Sequence, residues 1–327
     1  MIKEREINKF LNGRQFFILA AVLFVFATIL STACGVSAVQ GSTSGVLFSS
    51  ISVLSLPALL STLLSVVSIV GVCALLSLVN KIYSYTRDVT YIFASSFLLL
   101  NIAYPEIATR FCDGTMQTVI VVWLTYLLFS TYQSGYPQRR VFIISVILSC
   151  CCMFQYTFVY LMPVFFIGFL QMRAMNIRSV LAMLFGLITP FWIVLGLGIV
   201  SFDELQAPQL VNVWEHLGVE HYRNTIIQLL VTAFVTLVLL FTNVIQIINY
   251  KMQVRAYNGF FLVLTILTMI IMVIDFNNVM VYLPVLNLCL SIQIAHTFTI
   301  HKYLRKYIPY LLFVLSCLGV FVWRVLI

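Results

Sequence analysis

The feature that most restricts this chain is a succession of apolar runs, each close to the roughly 20 residues that span a bilayer as a helix. They lie near 15–34, 56–79, 89–105, 116–132, 179–200, 224–249, 257–274, 279–299 and 307–325, and a further uncharged stretch covers 141–171. A soluble domain is roughly half apolar and a quarter charged. Here 62% of the 327 residues are hydrophobic and 9% are charged, an excess that no protein interior of this size can hide. Soluble, nucleic-acid-binding and disordered classes are excluded. The expectation is an all-α polytopic membrane protein, a single integral membrane domain over 1–327, without internal repeat or low-complexity tract.

The stretch 141–171 is too long for one comfortable span and short for two. Gln155 and Tyr156 lie in its middle, and Pro163 follows. Cytoplasmic loops retain Lys and Arg, and that bias decides the reading. If 141–171 is a hairpin of two short helices, the chain crosses eleven times and fifteen basic residues fall inside. Arg110, Arg223 and Arg324 then fall outside. If it crosses once, every later loop changes side and the split becomes ten to eight. The hairpin reading predicts a cytoplasmic N-terminus, an outer C-terminus, and Gln155 and Tyr156 facing protein or a cavity. Helices of about 15 residues cannot cross roughly 30 Å of hydrocarbon unaided.

Residues 1–34 read as a charged start and an apolar core ending in Ser31-Thr32-Ala33-Cys34-Gly35, which resembles a lipoprotein cleavage box. Leu30 stands four residues before Cys34 instead of three, so the segment reads as an ordinary first helix. None of the eight cysteines forms a CxxC pair and most lie inside apolar runs. They read as small buried hydrophobes, not as a disulfide framework or a zinc site. No metal and no cofactor is expected.

No soluble catalytic motif is present, so candidate chemistry sits at the outer membrane boundary. The first group is Asn101-Ile-Ala-Tyr104-Pro105-Glu106-Ile-Ala-Thr-Arg110-Phe-Cys-Asp113. Glu106, Arg110 and Asp113 recur at i, i+4 and i+7, one face of a helix. A guanidinium there would grip a phosphate bidentately, and Glu106 or Asp113 would serve as a catalytic base. The bland alternative is an interfacial turn whose charges pair with one another. The second group is the loop 201–223, with Glu215-His216 and Glu220-His221 followed by Arg223. His221 and Arg223 are candidate substrate contacts, and a metal at the Glu-His pairs has no third cluster to complete it. The acidic residues Asp203, Glu204, Glu215, Glu220 and Asp275 all read as outer-face loop residues. Arg324, four residues from the end, reads as a terminal anchor.

No Asp, Glu, Lys or Arg falls near the middle of a span. Ion-driven pumps usually carry such groups, so ion-coupled transport is disfavoured. His296 reads as interfacial, and Gln155, Asn243, Asn287 and Gln293 as amides that join helices. The inner clusters Arg139-Arg140 and His301–Lys306 read as topology anchors and anionic-lipid contacts.

Three stretches carry a family resemblance. They are Met172-Arg173 with Asn176-Ile-Arg178 leading into Leu184-Phe-Gly186-Leu-Ile-Thr189-Pro190-Phe191; Arg255-Ala-Tyr-Asn-Gly259-Phe; and Tyr282-Leu-Pro284 with Ser291. Over roughly 85–325 the chain resembles a Bacteroidota inner-membrane family known as domain of unknown function 6427. That resemblance implies a multi-pass protein of the bacterial cytoplasmic (inner) membrane, and no activity. Architecturally the chain is also similar to GT-C glycosyltransferases and envelope polysaccharide polymerases, which place boundary carboxylates and arginines outside and use lipid-linked sugar phosphates. It departs from GT-C enzymes in its first outer loop, 35–55, which has no carboxylate. The leading expectation is an envelope-biogenesis membrane protein that acts on, or moves, a lipid-linked glycan at the outer face. A non-enzymatic scaffold subunit of a larger complex and an uncoupled flippase or transporter are the alternatives. Membrane lipids, a lipid-linked phosphate or glycan and other membrane proteins are the expected partners, with no nucleic acid.

Overall fold

A computed structural model describes residues 10–11, 13–36, 45, 57–86, 91–199, 213, 220–248, 250–300 and 307–326. Among them every regular element is helical. The elements are α1 (Arg14–Ala33), α2 (Ala58–Tyr83), α3 (Ile92–Ile102), α4 (Pro105–Thr109), α5 (Asp113–Phe129), α6 (Gln138–Phe154), α7 (Leu161–Gln171), α8 (Ile177–Gly196), α9 (Glu220–Ile247), α10 (Met252–Ile274), α11 (Val279–Ile300) and α12 (Tyr307–Leu326). Single 3-10 turns, Tyr156–Phe158 and Phe276–Asn278, join α6 to α7 and α10 to α11. Six of the helices are long and apolar enough to cross a membrane by length and composition. The chain is an all-α membrane protein.

Three helices stop at a residue that leaves the α region and then restart. Tyr104 (φ −124°, ψ 75°) separates α3 from α4, Gln155 (φ −152°, ψ 110°) ends α6, and Asp275 (φ −122°, ψ 72°) ends α10. The break at Tyr104 is local, because the residue before a proline is pushed out of the α region. No proline or glycine follows Gln155 or Asp275, and those breaks are held by tertiary contacts. A broken backbone is tolerated at membrane depth where protein surrounds it, and Tyr104, Gln155 and Asp275 are all buried.

The segment 141–171 doubles back as the charge argument anticipates. The Gln133 amide, just before α6, donates to the Met172 carbonyl, just after α7, at 3.3 Å. Both ends of the pair therefore lie side by side. Gln155 and Tyr156 are buried at its tip. The α6 helix packs along α8, where Gly186 meets Ser145. A Cβ at Gly186 would come within 2.8 Å of the Phe142 carbonyl oxygen, so only glycine permits that approach. The Ser149 hydroxyl donates across the same seam to the Leu187 carbonyl at 2.6 Å. Small residues and short interhelical hydrogen bonds replace the hydrophobic drive that lipid does not supply.

At the centre stands α11, packed against α3, α5, α9 and α10. In its most apolar window 94% of residues are buried, against 17% for α8 and 11% for α9. Gly114 lets the start of α5 approach α11, since a Cβ there would lie 2.7 Å from the Val281 carbonyl oxygen. The outward faces of α8 and α9 present Phe185, Ile188, Trp192, Leu230, Phe234 and Phe241, the side chains expected against lipid.

Candidate functional site

Proline at the first position of α4 sets the direction of that short helix and carries Glu106 in its first turn. The partner of Glu106 is Arg324, at 2.8 Å, with both side chains mostly buried. The same guanidinium donates to Gln228 Oε1 at 2.7 Å and to Thr225 Oγ1 at 3.3 Å. Gln228 donates in turn to the Ala103 carbonyl, which the break leaves free, and the Tyr104 and Thr232 hydroxyls meet at 2.6 Å. Arg324 is thus a clamp that ties α12 and α9 to the α3–α4 break, a correction to its reading as a terminal anchor. Glu106 Oε2 is buried without a hydrogen-bond partner.

The other nominated residues do not join this pair. Arg110 caps the C-terminal end of α4 and is exposed, and Asp113 is half-buried at the first position of α5. The i, i+4, i+7 face expected for Glu106, Arg110 and Asp113 does not form, because α4 ends at Thr109 with Arg110 extended. His221 and Arg223 fall in the first turn of α9, and their side chains lie outside the described residues, as do Asp203, Glu204, Glu215 and His216.

A second polar centre, unassigned from sequence, forms where the two 3-10 breaks meet. Asp275 is fully buried. Its Oδ2 accepts from the Tyr282 hydroxyl at 2.7 Å, the Tyr156 hydroxyl at 3.0 Å and Asn278 Nδ2 at 3.0 Å, and its Oδ1 accepts from the same amide at 3.0 Å. Asn278 Nδ2 also contacts the Tyr156 hydroxyl. Among the described residues no Lys, Arg or His pairs with this carboxylate. Asp275 therefore sits inside the helix bundle and not in a solvated loop.

From this centre a file of polar side chains runs down one face of α11. Asn278, Tyr282, Cys289, Gln293 and His296 recur at i, i+4, i+11, i+15 and i+18, and all are buried. At about 1.5 Å per residue the file is about 27 Å long, close to the roughly 30 Å of a hydrocarbon core. It faces Tyr160, Thr268 and Thr265 of the surrounding elements. Gln293 Nε2 donates to Thr265 Oγ1 at 2.8 Å, and Asn243 Nδ2 donates to the Gln293 carbonyl at 3.2 Å. At the far end Asn243, Tyr250, Asn258, Gln293 and His296 line, with Phe261 and Ile292, a tight cavity of about 10 Å³, room for about one water. Tyr85, in the turn after α2, packs beside His296 and is held above the usual phenol range by burial. His296 is buried in the bundle, near the end of α11.

Several polar atoms along α11 are buried without a partner: Asn278 Oδ1, Gln293 Oε1, and both Nδ2 and Oδ1 of Asn287. Each orphan of this kind costs about 1–3 kcal/mol. Compared with protein-family descriptions, with curated proteins and with solved structures, the chain matches none. The resemblance to domain of unknown function 6427 finds no support in these comparisons.

Proposed function

We propose that this chain is a transporter of a small polar solute, with α11 as the wall of its path. The observation that carries this reading is Asn287, a fully buried carboxamide in mid-helix with neither polar atom hydrogen-bonded. A buried orphan calls for a partner from outside the chain, and a passing solute would supply one. Asn278, Gln293 and the cavity beside His296 repeat the same chemistry at both ends of the helix, on the face opposite Asn287. Neutral amides and hydroxyls suit an uncharged or zwitterionic solute better than a strongly charged one.

The topology belongs to the same proposal: eleven crossings of a bacterial cytoplasmic membrane, N-terminus inside and C-terminus outside. The fifteen-to-three distribution of basic residues supports it, and so does the doubling back of 141–171. In this arrangement the breaks at Tyr104, Gln155 and Asp275 all end outward-running helices. They form an outer polar layer whose rearrangement would open the path.

The test is uptake of labelled amino acids, monosaccharides and nucleosides into proteoliposomes. At least one class accumulates with the wild-type chain and falls at least tenfold with Asn287→Leu. That variant also unfolds later on heating, because an apolar group of similar shape removes an orphan worth about 1–3 kcal/mol. No uptake above protein-free vesicles for any class would discard the transporter.

A second reading, action on a lipid-linked glycan at the outer face, is supported by Glu106. Its carboxylate is half-paired at a boundary position, with Arg324 holding one oxygen and the other unpartnered. A phosphate taking Arg324 would have to displace Glu106 first. The lipid and glycan profile of a deletion strain separates the two: accumulation of a lipid-linked intermediate favours this reading, and an unchanged profile discards it.

A further inference from the structure

We propose that Asp275 is a proton-binding site, and that binding and release of the proton unfasten and fasten the two helix breaks that meet there. This deepens the transport reading by naming the proton as the ion to which solute movement is coupled. The geometry carries it. A carboxylate with no exposed surface normally pairs with a base, yet the groups facing Asp275 are Tyr156 from the α6–α7 turn, Tyr282 from α11 and Asn278 from its own turn, with Tyr160 packed edge-on beyond Tyr282 at 5.4 Å. The negative charge is compensated by hydrogen bonds alone among the described residues. Such a group has two stable forms, the hydrogen-bonded anion and the neutral acid. The choice between them depends on how many donors remain in place.

A proton suits the site better than a metal cation. Four hydrogen bonds of 2.7–3.0 Å already occupy the carboxylate oxygens, and a cation would have to displace those donors, whereas a proton needs no volume. When a proton adds to Oδ2, no other covalent bond is made or broken. The acid becomes a donor, and at least one phenol that donated to it must turn its O–H away. Asn278 Oδ1 is buried and unpartnered beside it, giving a redirected hydrogen an acceptor to meet. Tyr156 is the one residue of the α6–α7 turn that hydrogen-bonds Asp275. Protonation therefore weakens the link between the α6–α7 and α10–α11 breaks, the movement that opening of the outer layer requires.

Infrared difference spectra of the purified full chain in nanodiscs, taken across pH, test the site without knowledge of the solute. The carbonyl band of a buried protonated carboxyl grows on acidification, is absent in Asp275→Asn and is retained in Glu106→Gln. Tyr282→Phe removes one of the hydrogen bonds that hold the carboxylate and shifts the frequency of that band. A band that persists in Asp275→Asn, a band unmoved in Tyr282→Phe, a response to sodium instead of pH, or no protonated carboxyl band while the chain stays folded would each overturn the assignment. Solute flux measured in parallel keeps the two readings apart. Flux without the band removes the proton and leaves transport standing, and the band without flux removes transport and leaves a proton site.

Discussion

The helices α9 and α11 are both long and both apolar, and they live in opposite surroundings. The α9 helix keeps Gln228, Thr232, Thr236 and Asn243 on one inward stripe, where they meet Ala103, Tyr104 and Gln293. The rest of its surface is exposed Leu, Val, Phe and Ile. Among its described side chains the α11 helix has no outward face, and it carries polar groups at every depth, several of them unpaired. Polarity in this molecule follows contact with protein, not distance from the membrane surface. A polar group on α9 has a single direction in which to find a partner. One on α11 is enclosed by protein on all sides, and its partner can be a neighbour or a ligand.

If that contrast is right, substitutions at the centre and at the rim must differ in size. The largest effect is expected for Asp275→Leu, which strands Tyr156, Tyr282 and Asn278 inside the bundle. A loss on the order of 3–5 kcal/mol follows, read as failure to elute as a single detergent-solubilised species. Arg324→Ala comes next, at about 1.5–3 kcal/mol, because charge-assisted hydrogen bonds are lost and Glu106 is left half-buried. Arg324→Lys would recover only part of this, since an ammonium cannot hold Glu106, Gln228 and Thr225 in the fork geometry. Chemical denaturation in mild detergent measures both.

Gly186→Val sharpens the comparison within a single helix. On the side of α8 that meets Ser145 it overpacks the seam by about 1–3 kcal/mol. Phe185→Val, one residue away on the exposed side, changes stability by less than about 0.5 kcal/mol. The smallest effect belongs to Arg110. Exposed at the end of α4, it should tolerate both Lys and Ala in expression and thermal stability. A functional defect in Arg110→Lys with stability intact would instead strengthen the lipid-phosphate reading.

Much of the helix map was legible because hydropathy is summed over about twenty residues and tolerates local exceptions. The turn at Gln155 was legible for a different reason, the charge balance of distant loops. Asp275 was missed because a carboxylate next to Asn277 and Asn278 at the end of an apolar run looks the same whether it faces water or protein. Glu106 was given the wrong partner. Sequence spacing favoured Arg110 four residues on, and nothing local pointed to Arg324, 218 positions away.

By itself, the sequence determined the class, the helix positions and the doubling back of 141–171. Each follows from additive quantities, the cost of placing polar groups or charges in hydrocarbon. Tertiary structure alone decided that α11 stands at the centre while α8 and α9 stand at the rim. It decided that two breaks close on one carboxylate, and that Arg324 clamps Glu106. Those outcomes depend on which helix faces which, and in lipid that choice is made by close fits such as Gly186 on Ser145 and by single hydrogen bonds. Neither leaves a periodic trace along the chain.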